Sequence, residues 1–263
     1  AAELSDMRPT LLVGLMKASQ RNADRGAADT ALFEVGQIFR GDAPEDQKIA
    51  ASGVRRGLAR PSGVGRHWSG NAEAGLFDVK ADALAVLSAC GAPMSGVQVN
   101  AGGPAWLHPG RSGTLAMGRE VYGWFGEAHP RALEALDVDG PLYVFEIVLD
   151  AIPAPKARAT KVRPRLDLAE LQPVSRDFAF LVDSKVRAED MLKVARGIDR
   201  TLVSNVALFD VYEGKGIEPG RKSIAIEVRL QPRDRTMTDA EIEAFSARLV
   251  AEMAKKTGAS LRG

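Results

Sequence analysis

The stretch from Val203 to Gln231 most constrains what this chain can become: V-S-N-V-A-L-F-D-V-Y-E-G-K-G-I-E-P-G-R-K-S-I-A-I-E-V-R-L-Q. Polar and apolar residues alternate on either side of a segment rich in Gly and Pro. That pattern predicts two half-buried strands joined as a hairpin, with the turn between Gly214 and Gly220. Successive side chains of a strand point to opposite faces, so parity assigns them. Ala207, Phe209 and Val211 fall with Ile224, Ile226, Val228 and Leu230 on one apolar face. Asp210, Tyr212, Ser223, Glu227 and Arg229 fall on the other, a mixture that builds no core. Such a face suits either solvent or a ligand.

The flanks extend the hairpin into a domain. Upstream, Arg176 to Val182 alternates again, with Phe178, Phe180 and Val182 as its bulky set and Ala179 on the opposite face. Between that strand and the hairpin, Met191, Leu192, Ala195 and Ile198 recur at helical spacing. Downstream, Thr238 and Glu241 have the spacing of a capping box, in which each side chain satisfies a backbone donor of the other. Asp239, Glu241 and Glu243 sit at the positive end of the helix dipole, Lys255 and Lys256 at the negative end. Ile242, Phe245, Leu249 and Met253 form the apolar stripe, Gly258 ends it, and Ala259 to Arg262 reads as a last short strand. The order βαββαβ predicts a ferredoxin-like unit: two helices on one side of a four-stranded antiparallel sheet, the other side open. An open sheet side is where some RNA-binding domains stack unpaired bases on aromatic rings. The fold alone argues no function.

The first half is α+β with mostly antiparallel pairing. Leu11, Leu12, Leu15 and Met16 predict a helix; Ala31 to Phe39 and Ile49 to Arg56 predict paired strands. A helix is expected over Val79 to Ala89, and strands over Gly96 to Val99, Ser112 to Gly118, Val121 to Gly126 and Leu142 to Leu149. Arg131 to Leu136 reads as a short helix. At 263 residues and 45% hydrophobic content the chain is long enough for two cores. The expected division is 1–155, a connector at 156–172, and 173–263. The net charge is +1, and no segment is strongly basic, so charge alone does not suggest nucleic acid. The single Cys90 excludes a disulfide scaffold, suits the cytosol and reads as core filler. His67, His108 and His129 are too dispersed to suggest a zinc set, and the last two, each near a Pro, read as turn residues. Trp106 and Trp124 suit either a subunit interface or the core. No apolar run is long enough to span a membrane. The start A-A-E-L-S, without Met, reads as a piece of something longer.

Four ordered segments point further: P-x-S-R-D-F-A-F (Pro173 to Phe180), L-F-D-V-Y-E-G (Leu208 to Gly214), P-G-R-K-S-I-A (Pro219 to Ala225) and R-T-M-T-D-A-E-I (Arg235 to Ile242). Together they resemble the ferredoxin-fold anticodon-binding domain that closes the β subunit of bacterial phenylalanyl-tRNA synthetase. The first half is similar to the catalytic-like domain of the same family through M-R-P-T-L-L-V-G-L, A-L-F-E-V-G-Q-I-F, L-H-P-G-R-S, W-F-G-E-A-H-P and Y-V-F-E-I-V-L-D. That domain has the class II synthetase fold without an active site. Active relatives place an Arg two residues before the Glu of the second motif; here Leu32 stands there. The Gly-rich, Arg-terminated third motif is also missing around Tyr143 to Asp150, so a developing phosphate charge would have no partner. The resemblance therefore implies no catalytic residue and no metal ligand here.

What the resemblance implies for function is specific. The chain would be the C-terminal part of a β subunit in a cytoplasmic (αβ)₂ heterotetramer. The whole enzyme would use ATP and Mg²⁺ to charge tRNA(Phe), with its cofactors held outside this chain. Residues 1–155 would scaffold the α subunit. In the family the open face reads the anticodon, and the matching positions are Ala179, Asp210, Tyr212 and Ser223. Tyr212 offers a π-face to an unstacked base, and Asp210 an acceptor for the N–H donors of a guanine Watson–Crick edge. Ser223 donates or accepts, and Ala179 lets a base lie close. Arg221 and Lys222 suit phosphate contact and, equally, plain solubility. Lys156, Arg158, Lys161, Arg163 and Arg165 in the Pro-spaced connector either track tRNA phosphates or belong to a solvated linker. The alternative for the whole chain is an interaction module whose sheet face touches no RNA.

Overall fold

The computed structural model describes residues 6–59, 72–154 and 168–262. The chain divides into two compact units, Ala1–Thr160 and Lys161–Gly263.

In the first unit, α1 (Leu12–Asp24) precedes β1 (Thr30–Phe39) and β2 (Gln47–Arg56). Then come α2 (Leu76–Ala89), β3 (Gln98–Ala101), β4 (Leu107–Met117), β5 (Glu120–Ala128), α3 (Pro130–Leu136) and β6 (Tyr143–Val148). The strands form one antiparallel sheet in the order β1-β2-β6-β5-β4-β3. Parity along β6 divides its two faces. Val144 and Val148 join Leu11, Leu12, Leu15 and Met16 beside α1, whereas Phe145 and Ile147 join Val79, Ala83 and Leu87 beside α2. A sheet covered on both faces needs near-continuous apolar strands at its centre, and five consecutive residues of β6 are buried. Gly53 is required here: a Cβ on it would lie 2.4 Å from Phe145 Cε1 across the β2–β6 pair.

Three first-half expectations change. Met94–Gly96 is a 3-10 turn, and the strand begins only at Gln98. Cys90 caps the C-terminus of α2 and is exposed, because the apolar stripe of α2 runs through Val79, Ala83 and Leu87 on another side. His108 lies inside β4, where its ring stacks on that of His129 at 6.5 Å. His129 is the N-cap of α3, accepting from the Arg131 N–H.

In the second unit the elements run β7 (Val174–Asp183), α4 (Ala188–Ile198), β8 (Val203–Tyr212), β9 (Arg221–Leu230), α5 (Asp239–Thr257) and β10 (Ser260–Leu261). The four strands form an antiparallel sheet in the order β10-β7-β9-β8, the ferredoxin-like arrangement. The capping box is formed: Glu241 N–H donates to Thr238 Oγ1, and Thr238 N–H donates to Glu241 Oε2 at 2.9 Å. Gly258 closes the helix at φ 67°, where a side chain would be strained. Phe178, Phe180, Val182, Ile224, Ile226, Val228 and Leu230 pack under Met191, Ala195, Phe245, Leu249 and Met253.

The apolar side of β8 is not the one that simple alternation assigns. The β8–β9 register slips twice, between Val203 and Asn205 and again between Leu208 and Asp210. Each slip puts two residues of β8 against one of β9 and reverses the parity that follows. Between the slips, Val206 and Leu208 pair with Val228 and Ile226 on the helix side, and Ala207 pairs with Glu227 on the open side. Phe209 is the extra residue of the second slip and is 57% exposed. Beyond it Asp210 and Tyr212 return to the open side, and Val211 faces the helix side at a half-exposed edge.

Candidate nucleic-acid interface

Residues directly opposite on antiparallel strands share a face, with Cβ atoms about 5 Å apart. The registers therefore lay out the uncovered side of the second sheet as rows. Ser260, Leu181, Ser223 and Tyr212 form one row across all four strands. Ala179, Ala225 and Asp210 form the next. Asp177, Glu227 and Ala207 follow, then Ser175, Arg229 and Asn205. The four residues singled out from the sequence thus fall in two adjacent rows. Ser260, Leu181 and Ala225 complete those rows and lie outside the sequence expectation. The alternation along β7 and β9 carries the signal for Leu181 and Ala225, two residues from Ala179 and Ser223 respectively, whereas Ser260 on the two-residue β10 has no such signal.

The side chains offer different chemistry. Tyr212 is 39% exposed, and its hydroxyl donates to the Lys215 carbonyl at 3.1 Å. That bond ties the ring to the following turn and leaves its π-face as the free feature. Gly214 makes room for it: a Cβ there would lie 3.0 Å from the Tyr212 hydroxyl. Asp210 is exposed, and no ion pair among the described residues involves it. Its acceptor capacity is open to a ligand's donors. Ser223 is only 4% exposed, hemmed between Leu181 and Tyr212 in its row. Ala179 is half-buried and adds no bulk over the middle of the sheet.

The neighbouring basic residues part company. Arg221 lies on the open side by parity and donates through Nη2 to the Leu181 carbonyl at 3.1 Å and to Ser260 Oγ at 3.3 Å. Lys222, one residue on, points to the helix side, and its Nζ donates to the Ser184 carbonyl at 2.7 Å. Lys156, Arg158, Lys161, Arg163 and Arg165 lie outside the described residues.

In the first unit, the second-motif segment lies on β1. Leu32 packs against the core beside α1, and Glu34 is held by Arg8 at 2.7 Å. The uncovered sheet of the second unit presents an aromatic ring, a carboxylate and a hydroxyl on one face.

One unit thus holds an antiparallel sheet covered on both faces and the other a ferredoxin-like unit with one bare sheet face, and the chain that builds them matches two family models. Residues 1–149 match the phenylalanyl tRNA synthetase beta chain CLM domain, and residues 169–262 match the ferredoxin-fold anticodon binding domain. The chain belongs to the phenylalanyl-tRNA synthetase β-chain family. It is 62% identical over 263 residues to the phenylalanine–tRNA ligase beta subunit of Bradyrhizobium diazoefficiens, and 61% identical over 265 residues to that of Rhodopseudomonas palustris. The beta subunit of Brucella suis is 55% identical over 265 residues. Each alignment covers 100% of this chain and 33% of the relative, so the chain spans about one third of their length. In three dimensions the partial likeness to pyrrolysyl-tRNA synthetase from Desulfitobacterium hafniense is slight. Its TM-score is 0.39 at 15% identity, over 54% of this chain and 47% of that one.

Proposed function

We propose that the uncovered sheet of residues 173–263 reads the anticodon of tRNA(Phe), and that residues 1–155 scaffold the α subunit. The two would act within a cytoplasmic (αβ)₂ phenylalanine–tRNA ligase, in which ATP and Mg²⁺ serve an active site outside this chain. The observation that carries the first part is the sharing of one bare face, in two adjacent rows, by Ala179, Asp210, Ser223 and Tyr212. An unstacked base on Tyr212 would gain about 1–3 kcal/mol from stacking. Asp210, one row away, would accept from the N–H groups of a guanine edge. Ser223 is too enclosed for more than a single polar contact at the base rim.

Scaffolding rests on the apolar side chains exposed at the edge strand of the first sheet. Phe33 and Val35 of β1 are 78% and 56% exposed on an edge strand, whose outer backbone is met by Arg8 at Gln37 and Phe39. Soluble monomers rarely leave such a strip bare. Among the described residues no helix is long and apolar enough to cross a membrane. In the connector, Lys156, Arg158, Lys161, Arg163 and Arg165 would add phosphate contacts, Arg221 a further one at the sheet rim, and Lys222 one from the opposite side.

The test is direct binding of the full chain to tRNA(Phe) and to the same tRNA with its first anticodon base replaced. The expected result is an affinity at least about tenfold lower for the altered tRNA. Equal binding would leave the face idle and favour a purely structural module.

A further inference from the structure

A cavity of about 650 Å³ opens in the first unit at the start of α1. Leu12, Val13 and Met16 of α1 form one wall, and Trp106 and Trp124 another. Its size and apolar lining are those of a small-molecule site. One residue breaks the pattern. Glu146 of β6 lines the cavity, yet only 2% of it is exposed.

The two oxygens of Glu146 are used unequally. Oε2 accepts from Thr10 Oγ1 at 2.7 Å, from the Leu11 backbone N–H at 3.1 Å and from Ser52 Oγ at 2.9 Å. Oε1 accepts no hydrogen bond among the described residues. A carboxylate carries about four lone-pair sites, and leaving an oxygen without a donor against an apolar wall is costly. Among the described side chains, Ser112 Oγ alone is both fully enclosed and without a partner. Oε1 therefore keeps an opening, and the cavity that Glu146 lines supplies it. The three donors clamp the carboxylate to β2 and to the start of α1, so Oε1 is held still.

We propose that this cavity binds a small primary amine with an aromatic or branched apolar body. The ammonium donates to Glu146 Oε1, and the body lies against the corner made by Trp106 and Trp124. Those indoles meet edge to face, with centroids 6.3 Å apart and planes at 73°. At the mouth the exposed Arg40 guanidinium sits 5.4 Å from the Trp124 ring centroid. A cation is disfavoured beside it, which orients the ammonium inward to the carboxylate. A ligand with a carboxylate in place of the amine would meet like charge at Glu146.

The probe is 2-phenylethylamine, titrated into the full ¹⁵N-labelled chain while the indole N–H resonances are followed, with 2-phenylethanol and 3-phenylpropionate as controls. The expected result is saturable shifts at Trp106 and Trp124 for the amine, with both controls at least about tenfold weaker. Glu146→Gln removes the charge that selects the amine and is expected to abolish that preference. Glu146 also anchors α1, so that variant is checked for folding. Ala132→Phe, which fills the cavity from α3 and leaves the carboxylate network intact, should abolish the shifts whether or not Glu146→Gln folds. Absence of saturable shifts, equal binding of amine and alcohol, or full binding by Ala132→Phe would each overturn the proposal. Glu146 would then be only a clamp for α1.

Discussion

Tyr212 offers two separable features, a hydroxyl and a ring face. Its hydroxyl is bound to the Lys215 carbonyl in the turn, whereas its ring face is free to meet a base. Tyr212→Phe should therefore retain most tRNA affinity, while Tyr212→Ala should lose about 1–3 kcal/mol, roughly fivefold to 150-fold. Filter binding of both variants checks it, and an equal loss in the two would mean that the hydroxyl matters more than the ring. A second residue-scale outcome concerns Glu241. The Arg235 guanidinium, and then the Thr238 backbone and hydroxyl, lower its pKa from 4.5 to about 2. A depressed folded-state pKa means the stabilisation is complete above 4.5 and is lost as pH falls through 2. Glu241→Gln should thus lower Tm at neutral pH, and its deficit should shrink between pH 4.5 and pH 2 in a thermal-melt series. A constant deficit would show that the carboxylate's charge is irrelevant.

Elements differ in how far their sequence betrays them. Helix α5 is fully legible, because capping, dipole and stripe are local signals: Thr238 and Glu241 at its start, Gly258 at its end, and Phe245, Leu249 and Met253 between. Strand β8 is not, because a bulge is a property of the pair of strands and leaves the alternation intact. The open placement of Asp210 and Tyr212 was readable because the second slip restores the original parity, while Ala207 and Phe209 were misassigned because they precede or form that slip. Cys90 and His108 depart from their sequence expectation for a related reason, since neither a helix's buried side nor a strand's extent is fixed by one residue. The register makes its own test. Val206→Ala, in the core, should cost about 2 kcal/mol. Phe209→Ser, on the exposed bulge, should change stability by less than about 0.5 kcal/mol. Urea denaturation of the two variants checks the ranking, and the reverse order would restore simple alternation.

At the scale of the whole molecule, two units carry two kinds of surface. The first presents apolar residues on an edge strand, and the second a polar face with one aromatic ring. On the proposed reading the first would meet a protein partner and the second an RNA base. The connector's five basic residues would add an ionic contribution that depends on salt but not on base identity. Replacing them with Gln should flatten the dependence of log affinity on log salt while leaving anticodon discrimination intact. The most direct test of the reading face couples one residue to one base. Affinities are measured for wild type and Asp210→Ala, each with tRNA(Phe) and with the tRNA altered at its first anticodon base. If Asp210 accepts from that base, wild type should discriminate by about tenfold or more, and Asp210→Ala should bind the two tRNAs within about twofold of each other. Undiminished discrimination by Asp210→Ala would contradict a base-reading role for this face.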